Sequence, residues 1–393
     1  MRSLRFLLTC ALLFLPFMAS AAEVEVCNPA GIRPDGHYVD FFIRQTMDKE
    51  GIQKPPLANK FPATDVEKIT VEGSPEIEIN RLFLLRGWGD GLPLVIPTPQ
   101  RVEKMLEGAD YDPEEVIARV KPLEGQATIR KLAVNAVMAG CRPEHFPFLI
   151  AAVRALTKPD FDSLGPSTTT GVETLLIIIS GSAASQIDLN AGTGTMGRGV
   201  QGNPALGRAL NLVVQNIGGS VPGVTDMSNH GNPGEFGMCV VENQDMDPWH
   251  SPLPMSEGYA ERANVVTVAA VGSMKQIIFI GMSVDELLDE VAQAMKSHKD
   301  RRQACVWLTT PDTAQELAKA GHTPDSLMKA IRERLGDNSP QEIKIVVTGG
   351  PGEKNLVFEG WYAMKHVTHS EVEIPAMWDF LVEEAKADMS AVK

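Results

Sequence analysis

The sequence predicts an α/β protein with two parts: a mixed helical and α/β body toward the N-terminus, and a C-terminal three-layer α/β domain with a mainly parallel sheet. Three observations lead to this fold class. Short β-branched apolar runs alternate with helical patterns after residue 264, which is typical of three-layer α/β domains. Glycine-rich turns separate helical patterns earlier in the chain. The length of 393 residues suggests about two domains, with three possible.

Four segments follow from composition. Residues 1–22 are predicted to be a cleaved signal peptide, because Arg2 and Arg5 precede the apolar run 6–18 and small residues follow it. This run is too short to span a membrane, so we expect a periplasmic or secreted protein. The remaining segments are a proline-rich wrapping extension (23–80), a glycine-rich α/β domain (81–260) and a C-terminal α/β domain (261–393).

The net charge of the chain restricts the classes of molecule that it is expected to bind. The chain has 36 Lys and Arg against 50 Asp and Glu, a formal net charge of −14, and no basic cluster. Nucleic acid and anionic membrane surfaces are therefore not expected partners, and no later stretch is apolar enough to span a bilayer. Four cysteines follow the signal segment without a Cys-x-x-Cys pair, and their three possible pairings stay open. They are Cys27, Cys141, Cys239 and Cys305.

Local patterns predict the elements in order. In the first two thirds of the chain, we predict strands at 68–71, 175–179 and 236–241. Helices are predicted after Thr98, from Asp112, over 129–137 and 148–156, and from the N-cap Asn203 to Ile217. In the last third, strands are predicted at 265–271, 304–308 and 343–347. Helices are predicted after Ser283, Thr310 and Thr323, around 356–364, and over 378–385.

The glycine-rich segment from Asn190 leads into a predicted helix. Free backbone N–H groups and the helix dipole at such a position suit a carboxylate, phosphate or sulfate, and Arg198 and Arg208 would add positive charge. The segment lacks the Gly-Lys-Ser/Thr ending of a P-loop, and an ordinary ordered loop is an equal alternative. The predicted binding residues are Gly192, Gly194, Gly197, Arg198 and Gly199.

Two further segments are predicted to contact the substrate. Asp90 lies in the dense turn sequence 86–93, where three glycines indicate a close backbone approach to a ligand or to another loop. Thr169 lies in a hydroxyl-rich stretch before a buried strand, where side chains bind ligand oxygens or cap local backbone. Gly349, Gly350 and Gly352 follow the strand predicted at 343–347. They would line the ligand crevice at the carboxyl end of that strand, or they form a tight turn.

Cys141 and His230 are the predicted catalytic residues. Cys141 lies at a helix–turn–helix corner beside Arg142, a position that favours a thiolate with a lowered pKa; a small buried corner residue is the alternative. Among the histidines, His230 is the candidate for proton transfer because it lies in a glycine-bounded loop, although the pattern favours a plain turn histidine over this role. Asp226, His230, Cys239 and His250 match no familiar zinc spacing, so no metal is assigned.

Three stretches carry a resemblance to a known family. They are GDGLPLVIPTPQRVEKMLEG (89–108), KLAVNAVMAGCRPEHFPFLIAAV (131–153) and the NAGTGTMGRG…NPALGRAL…NIGG region. The chain resembles a broad bacterial group, largely without assigned chemistry, that is related to or associated with proteins named for a selenocysteine-Gly-Ser-Cys (UGSC) motif. The resemblance implies no reaction. The motif itself is absent, since Gly350-Pro351-Gly352-Glu353 contains no cysteine.

Two functions are compatible with these patterns. The first is an exported enzyme that acts on a small anionic substrate through the glycine-rich loop and the thiol of Cys141. The alternative is a non-catalytic periplasmic binding protein for a small anion or a metal ion. No motif assigns a cofactor, and no pattern indicates an oligomeric state.

Overall fold

The computed structural model describes residues 21–31, 65–297, 303–362 and 366–391, and it shows a mixed α/β protein. The predicted signal peptide lies outside these ranges except for Ala21 and Ala22. In the described part of the chain, no helix combines the length and the apolar character that crossing a membrane requires.

Two antiparallel ribbons flank the N-terminal helices. Their strands are β1 (Ala22–Cys27), β2 (Val66–Val71), β3 (Val116–Val120) and β4 (Gly125–Thr128). The β1–β2 pair confirms the strand predicted at 68–71. The helix predicted from Asp112 is wrong, because β3 pairs with β4 at that place. The Asp112 carboxylate accepts a 2.9 Å bond from the Glu114 amide and closes a turn. The residues after this turn include the β-branched Val116 and Val120, which favour a strand.

The helices of the N-terminal part mostly follow the sequence pattern. They are α1 (Pro75–Leu85), α2 (Pro99–Leu106), α3 (Ile129–Ala139), α4 (Phe146–Leu156) and α5 (Gly202–Val213). Thr98 caps α2 as predicted, and α3 ends at Gly140 in the left-handed conformation (φ +88°). The α3–α4 pair is therefore confirmed. The N-cap prediction at Asn203 is wrong, since α5 begins at Gly202 and Asn203 lies within its first turn.

One seven-stranded sheet forms the centre of the protein. Its strands are β5 (Thr174–Ser180), β6 (Cys239–Val241), β7 (Val265–Ile278), β8 (Ala304–Thr309), β9 (Glu342–Val347), β10 (Lys354–Gly360) and β11 (Thr368–Glu371). The order is β6-β5-β7-β10-β8-β9, with β11 also paired to β7. Strands β5 and β6 come from the predicted segment 81–260, and the others from 261–393. Because both segments share one sheet, the predicted division into two parts is not confirmed.

The prediction of a mainly parallel sheet is wrong. Only the β5–β6 and β8–β9 pairs of this sheet are parallel, and the other four pairs are antiparallel. The difference comes largely from β10, where the sequence predicts a helix around 356–364. Leu356, Val357 and Phe358 lie instead in a strand between β7 and β8. A strand with neighbours on both sides suits a continuous apolar run.

Helices cover both faces of the sheet. The C-terminal helices are α6 (Val284–Met295), α7 (Pro311–Lys319), α8 (Pro324–Leu335) and α9 (Trp378–Ala391). One core combines α3, α4 and α5 with β5 and the N-terminal half of β7. A second core combines α6, α7 and α8 with Ile277, Trp307 and Val357 on the other face. The Ser283 side chain caps α6 through the predicted capping box with Glu286.

The sheet curls until its two edge strands meet. The Asn243 amide, just after β6, donates to the Val347 carbonyl at the end of β9 (2.7 Å). The Thr348 hydroxyl, just after β9, donates to the Val241 carbonyl at the end of β6 (2.6 Å). The carboxyl ends of β6 and β9 therefore lie side by side, and they support the glycine-rich loop described next.

Candidate functional site

Two side chains, those of Asn203 and Thr195, hold the base of the loop formed by residues 190–202. Asn203 is 1% exposed; its Oδ1 accepts from the Asn190 amide (2.8 Å), and its Nδ2 donates to the carbonyls of Asn190 (2.9 Å) and Thr195 (2.7 Å). The Thr195 hydroxyl donates to the Asn190 carbonyl (2.7 Å) and accepts from the Val241 amide (3.3 Å). Buried bonds of this kind fix local geometry, so the loop leaves the protein from a rigid base.

The second glycine-rich sequence packs against this loop. The Gly349 amide donates to the Ala191 carbonyl (2.8 Å). A Cβ atom on Gly350 would lie 2.0 Å from the Thr193 hydroxyl oxygen, so this position requires glycine. The Gly352 amide donates to the Asp312 carboxylate (2.6 Å), which occupies the place that an external anion would need. The contacts of residues 349–352 therefore support packing rather than ligand binding.

The tip of the 190–202 loop faces solvent. Gly194, Gly197, Arg198 and Gly199 are exposed, and Gly192 is half-buried nearer the base. Gly194 (φ +74°) and Gly199 (φ +113°) adopt the left-handed conformation that glycine tolerates. Within the described ranges, Arg198 forms no ion pair, and the amides of Arg198 and Gly199 donate no hydrogen bond. The tip thus presents one guanidinium group and several amides to solvent.

Asp90 and Arg208 form an ion pair with each other. The guanidinium of Arg208 contacts both carboxylate oxygens of Asp90, at 2.7 and 2.8 Å, and also donates to the carbonyls of Leu92 and Pro93. Both side chains are 12% exposed. The roles of Asp90 in substrate binding and of Arg208 as an extra charge stay predictions, because these bonds show only that each side chain has a partner within the chain. The pair fastens the turn 86–93 to α5.

Thr169 and His230 lie on two neighbouring loops. The Thr169 hydroxyl accepts the Gly171 amide (2.9 Å), as expected for a local turn. The loop of His230 reaches this turn through the Asn229 amide, which donates to the Thr170 carbonyl (3.1 Å). His230 itself is exposed. No hydrogen bond or ion pair among the described residues connects either loop to the 190–202 loop, and the roles of Thr169 and His230 stay predictions.

Cys141 lies at the predicted corner, but its side chain is buried and 8% exposed. Burial raises the pKa of its thiol above the ordinary value, and the carboxylates of Asp188 and Glu144 raise it further. The predicted lowering of this pKa is therefore wrong. Desolvation outweighs the nearby helix end, and the positive charge of Arg142 is already balanced by the two acids. The described cysteines, Cys27, Cys141, Cys239 and Cys305, are all free and buried.

A buried polar network next to Cys141 has no counterpart in the sequence predictions. The His145 Nδ1 accepts the Arg142 amide (3.1 Å), so a neutral ring carries its proton on Nε2, which contacts the Asp188 carboxylate at 2.5 Å. The Arg142 guanidinium donates to Glu144 (2.6 Å) and lies 3.2 Å from Asp188. The close spacing of residues 142–145 was a visible signal. Asp188 was not, because it is far away in the chain.

This network braces the corner between α3 and α4. Ligand atoms of Glu144, His145 and Asp188 lie within 4.8 Å of one another, a spacing compatible with a metal ion. Arg142 already pairs with Glu144 and lies close to Asp188, however, and both ring nitrogens of the fully buried His145 are engaged. The ring therefore has no nitrogen available for a substrate proton. Asp226, His230, Cys239 and His250 do not form such a group in the described part of the chain.

Glu242 is a buried acid at the junction of the two edge strands, 6% exposed. Its Oε2 accepts the Ser180 hydroxyl (2.6 Å), and its Oε1 accepts the Leu253 amide (2.9 Å). Burial has the largest effect and raises the pKa of this carboxyl group to about 7, although both hydrogen bonds oppose it. Nothing in the sequence pattern singled out Glu242, since an acid after a short strand is common.

The raised pKa of Glu242 predicts a pH-dependent stability. The folded-state pKa lies above the ordinary value of 4.5, so the contribution of Glu242 is fully present below that value and is lost as the pH rises through about 7. At about pH 8, Glu242→Gln should therefore exceed the wild type by about 2 kcal/mol in free energy of unfolding. Urea denaturation at several pH values measures this. The exposed Glu261→Gln is the control and should retain the wild-type pH dependence; identical pH profiles for all three proteins would contradict the prediction.

Comparison with known proteins does not extend this description: the chain matches no protein-family model and no curated protein sequence.

Proposed function

We propose that the protein binds a small anion at the tip of the 190–202 loop. The observation that carries the proposal is Arg198, which is exposed and has no ion-pair partner within the described residues of an acidic chain. The neighbouring amides of Gly199 and Arg198 are also free to donate. A guanidinium group beside backbone N–H groups is the donor arrangement that recognises carboxylate, phosphate and sulfate.

Binding without catalysis agrees better with the contacts than a thiol enzyme does. The Cys141 thiol is buried with a raised pKa, and His230 lies on a loop without a bond to the 190–202 loop. An anion fits the tip better than a metal ion, because residues 190–202 contain no acid, cysteine or histidine. Export through residues 1–22 and kinship with the UGSC-related group are parts of this proposal that rest on sequence motifs alone.

Replacing the arginine tests the proposal. We expect Arg198→Ala to weaken the binding of a small anion by about tenfold or more, because it removes the only charged donor of the tip. Isothermal titration calorimetry with phosphate, sulfate, acetate and succinate measures the affinity. The matched control is Arg262→Ala, since Arg262 is exposed and pairs with Asp245 elsewhere on the surface. The anion affinity of Arg262→Ala should equal that of the wild type.

The conservative variant separates charge from geometry. Arg198→Lys keeps the charge but loses the planar fork, so its affinity should lie between those of wild type and Arg198→Ala. Equal affinities for all four proteins, or no binding of any anion in the panel, would overturn the proposal. Thermal unfolding of each variant without ligand should match the wild type, because Arg198 makes no ion pair among the described residues.

A further inference from the structure

Strand β7 extends beyond its pairing with β5. Strand β5 pairs with β7 only as far as the Thr174–Val271 pair, whereas β10 continues along the other side to Ile278. Residues 272–278, which we call the open edge, therefore have no strand on the β5 side within the described part of the chain. On that side, the Asn232 side-chain Nδ2 donates to the Gly272 carbonyl (3.2 Å). An exposed row of strand N–H and C=O groups is a template for another strand.

The open edge exposes apolar side chains and carries one charged residue. Met274 and Ile278 are 54% and 44% exposed, and they share one face with Gln276 because alternate residues of a strand point the same way. Residues 265–284 contain no acid, although the chain contains 50. Their single cation, Lys275, pairs with Glu290 of the same chain (3.0 Å). A second acidic copy could therefore approach here without the charge repulsion expected elsewhere.

We propose that the open edge pairs antiparallel with the same edge of a second copy, around a two-fold axis at Gln276. In this register Met274 lies opposite Ile278 of the second copy, and Gln276 lies opposite its own counterpart. A register centred on Lys275 would oppose two ammonium groups, which is unfavourable. The contact is isologous: each copy offers the same surface, and the dimer closes.

The chain path leaves room for this pairing. The residue after Ile280 is Gly281, which has φ +77°, and the Met282 amide donates to the Phe279 carbonyl (2.9 Å) in the turn that follows the open edge. In the proposed register Gly281 of the second copy lies opposite Val271, where β5 begins. The second copy thus turns away at the point where the ladder position is already taken.

Cysteine cross-linking tests the register. Opposite residues of an antiparallel pair have Cα atoms about 5 Å apart, within the range of a disulfide. Gln276→Cys should therefore give a disulfide-linked dimer under mild oxidation, visible on a non-reducing gel. Met274→Cys is the matched control, because its counterpart in the second copy would be about 13 Å away. The native cysteines of the described chain are buried and do not compete.

Sedimentation velocity at about 50 μM tests the association itself. The wild type should be a dimer, and Gln276→Lys should weaken dimerisation by about tenfold or more by opposing two charges. Met255→Lys, at an exposed methionine outside the open edge, should leave it unchanged. A monomeric wild type, a Gln276→Lys dimer of wild-type strength, or equal cross-linking of both cysteine variants would overturn the proposal. A monomer whose 272–278 amides exchange slowly would show that the chain itself covers the edge. None of these readouts depends on anion binding.

Discussion

Asp188→Ala is expected to lower the free energy of unfolding by about 3 kcal/mol at neutral pH, because it removes one of the two acids from a buried ionic network. The variant leaves the Nε2–H of His145 without its acceptor, and it leaves Arg142 with Glu144 alone. His145 is fully buried, so water cannot readily replace the lost carboxylate. Urea denaturation of the variant and the wild type measures the difference.

The pH dependence of this loss provides a second readout. Burial raises the pKa of Asp188, but the hydrogen bond from His145 and the positive charge of Arg142 outweigh it and hold the pKa below its ordinary value of 3.8. A group with a depressed folded pKa stabilises the fold above its unfolded pKa and loses this contribution as the pH falls through the folded value. The deficit of Asp188→Ala should therefore shrink in acid. Asp160→Ala, at an exposed acid, should cost less than about 0.5 kcal/mol; an equal cost for both variants would contradict the prediction.

Gly207→Ala is expected to destabilise the protein by about 3 kcal/mol, the opposite of what helix propensity alone predicts. Gly207 lies in the middle of α5, where alanine normally stabilises a helix by about 1 kcal/mol. A Cβ at this position would lie 2.4 Å from the Met238 amide nitrogen and 2.8 Å from the Gly237 carbonyl carbon. These are backbone atoms just before β6, so they cannot rotate away as a side chain would.

The same substitution at an open position is the control. A Cβ on Gly192 would meet its nearest neighbour, the Asn190 Oδ1, at an ordinary contact distance of 3.5 Å. Gly192→Ala should therefore change the free energy of unfolding by less than about 0.5 kcal/mol. Differential scanning calorimetry of both variants gives the comparison. A Gly207→Ala protein as stable as the wild type would show that β6 can move away from α5 without loss.

Local sequence patterns correctly predicted helices that begin at a capping side chain. Thr98 and Ser283 accept hydrogen bonds from the first turns of α2 and α6, as their sequences indicated. Strand β10 was missed because Leu356, Val357 and Phe358 form a short apolar run that fits a buried helix as well as a central strand. The neighbours that decide between them, β7 and β8, lie elsewhere in the chain. The prediction of mainly parallel strands was wrong for the same reason.

For the site residues, too, the sequence revealed local features but not contacts with distant residues. Glycine spacing around Arg198 was enough to locate an exposed loop, because left-handed turns require glycine locally. It was not enough to show that Asp90 is bound by Arg208, or that Asp188 approaches His145, since these partners are distant in sequence. For Cys141, the sequence revealed the helix end and the arginine but not the burial, and burial is the larger influence on the thiol pKa.

The pairing of β5 with β7 has a consequence for biogenesis. Thr174 finds its ladder partner in Val271 and Ser180 in Val265, so the ribosome releases β5 long before its neighbour exists. The nascent polypeptide must carry the fully apolar run 175–179 without its β7 partner until residues 265–271 have been synthesised. Late closure of this kind leaves a continuous apolar run exposed in the incomplete chain, where it can associate with other incomplete chains.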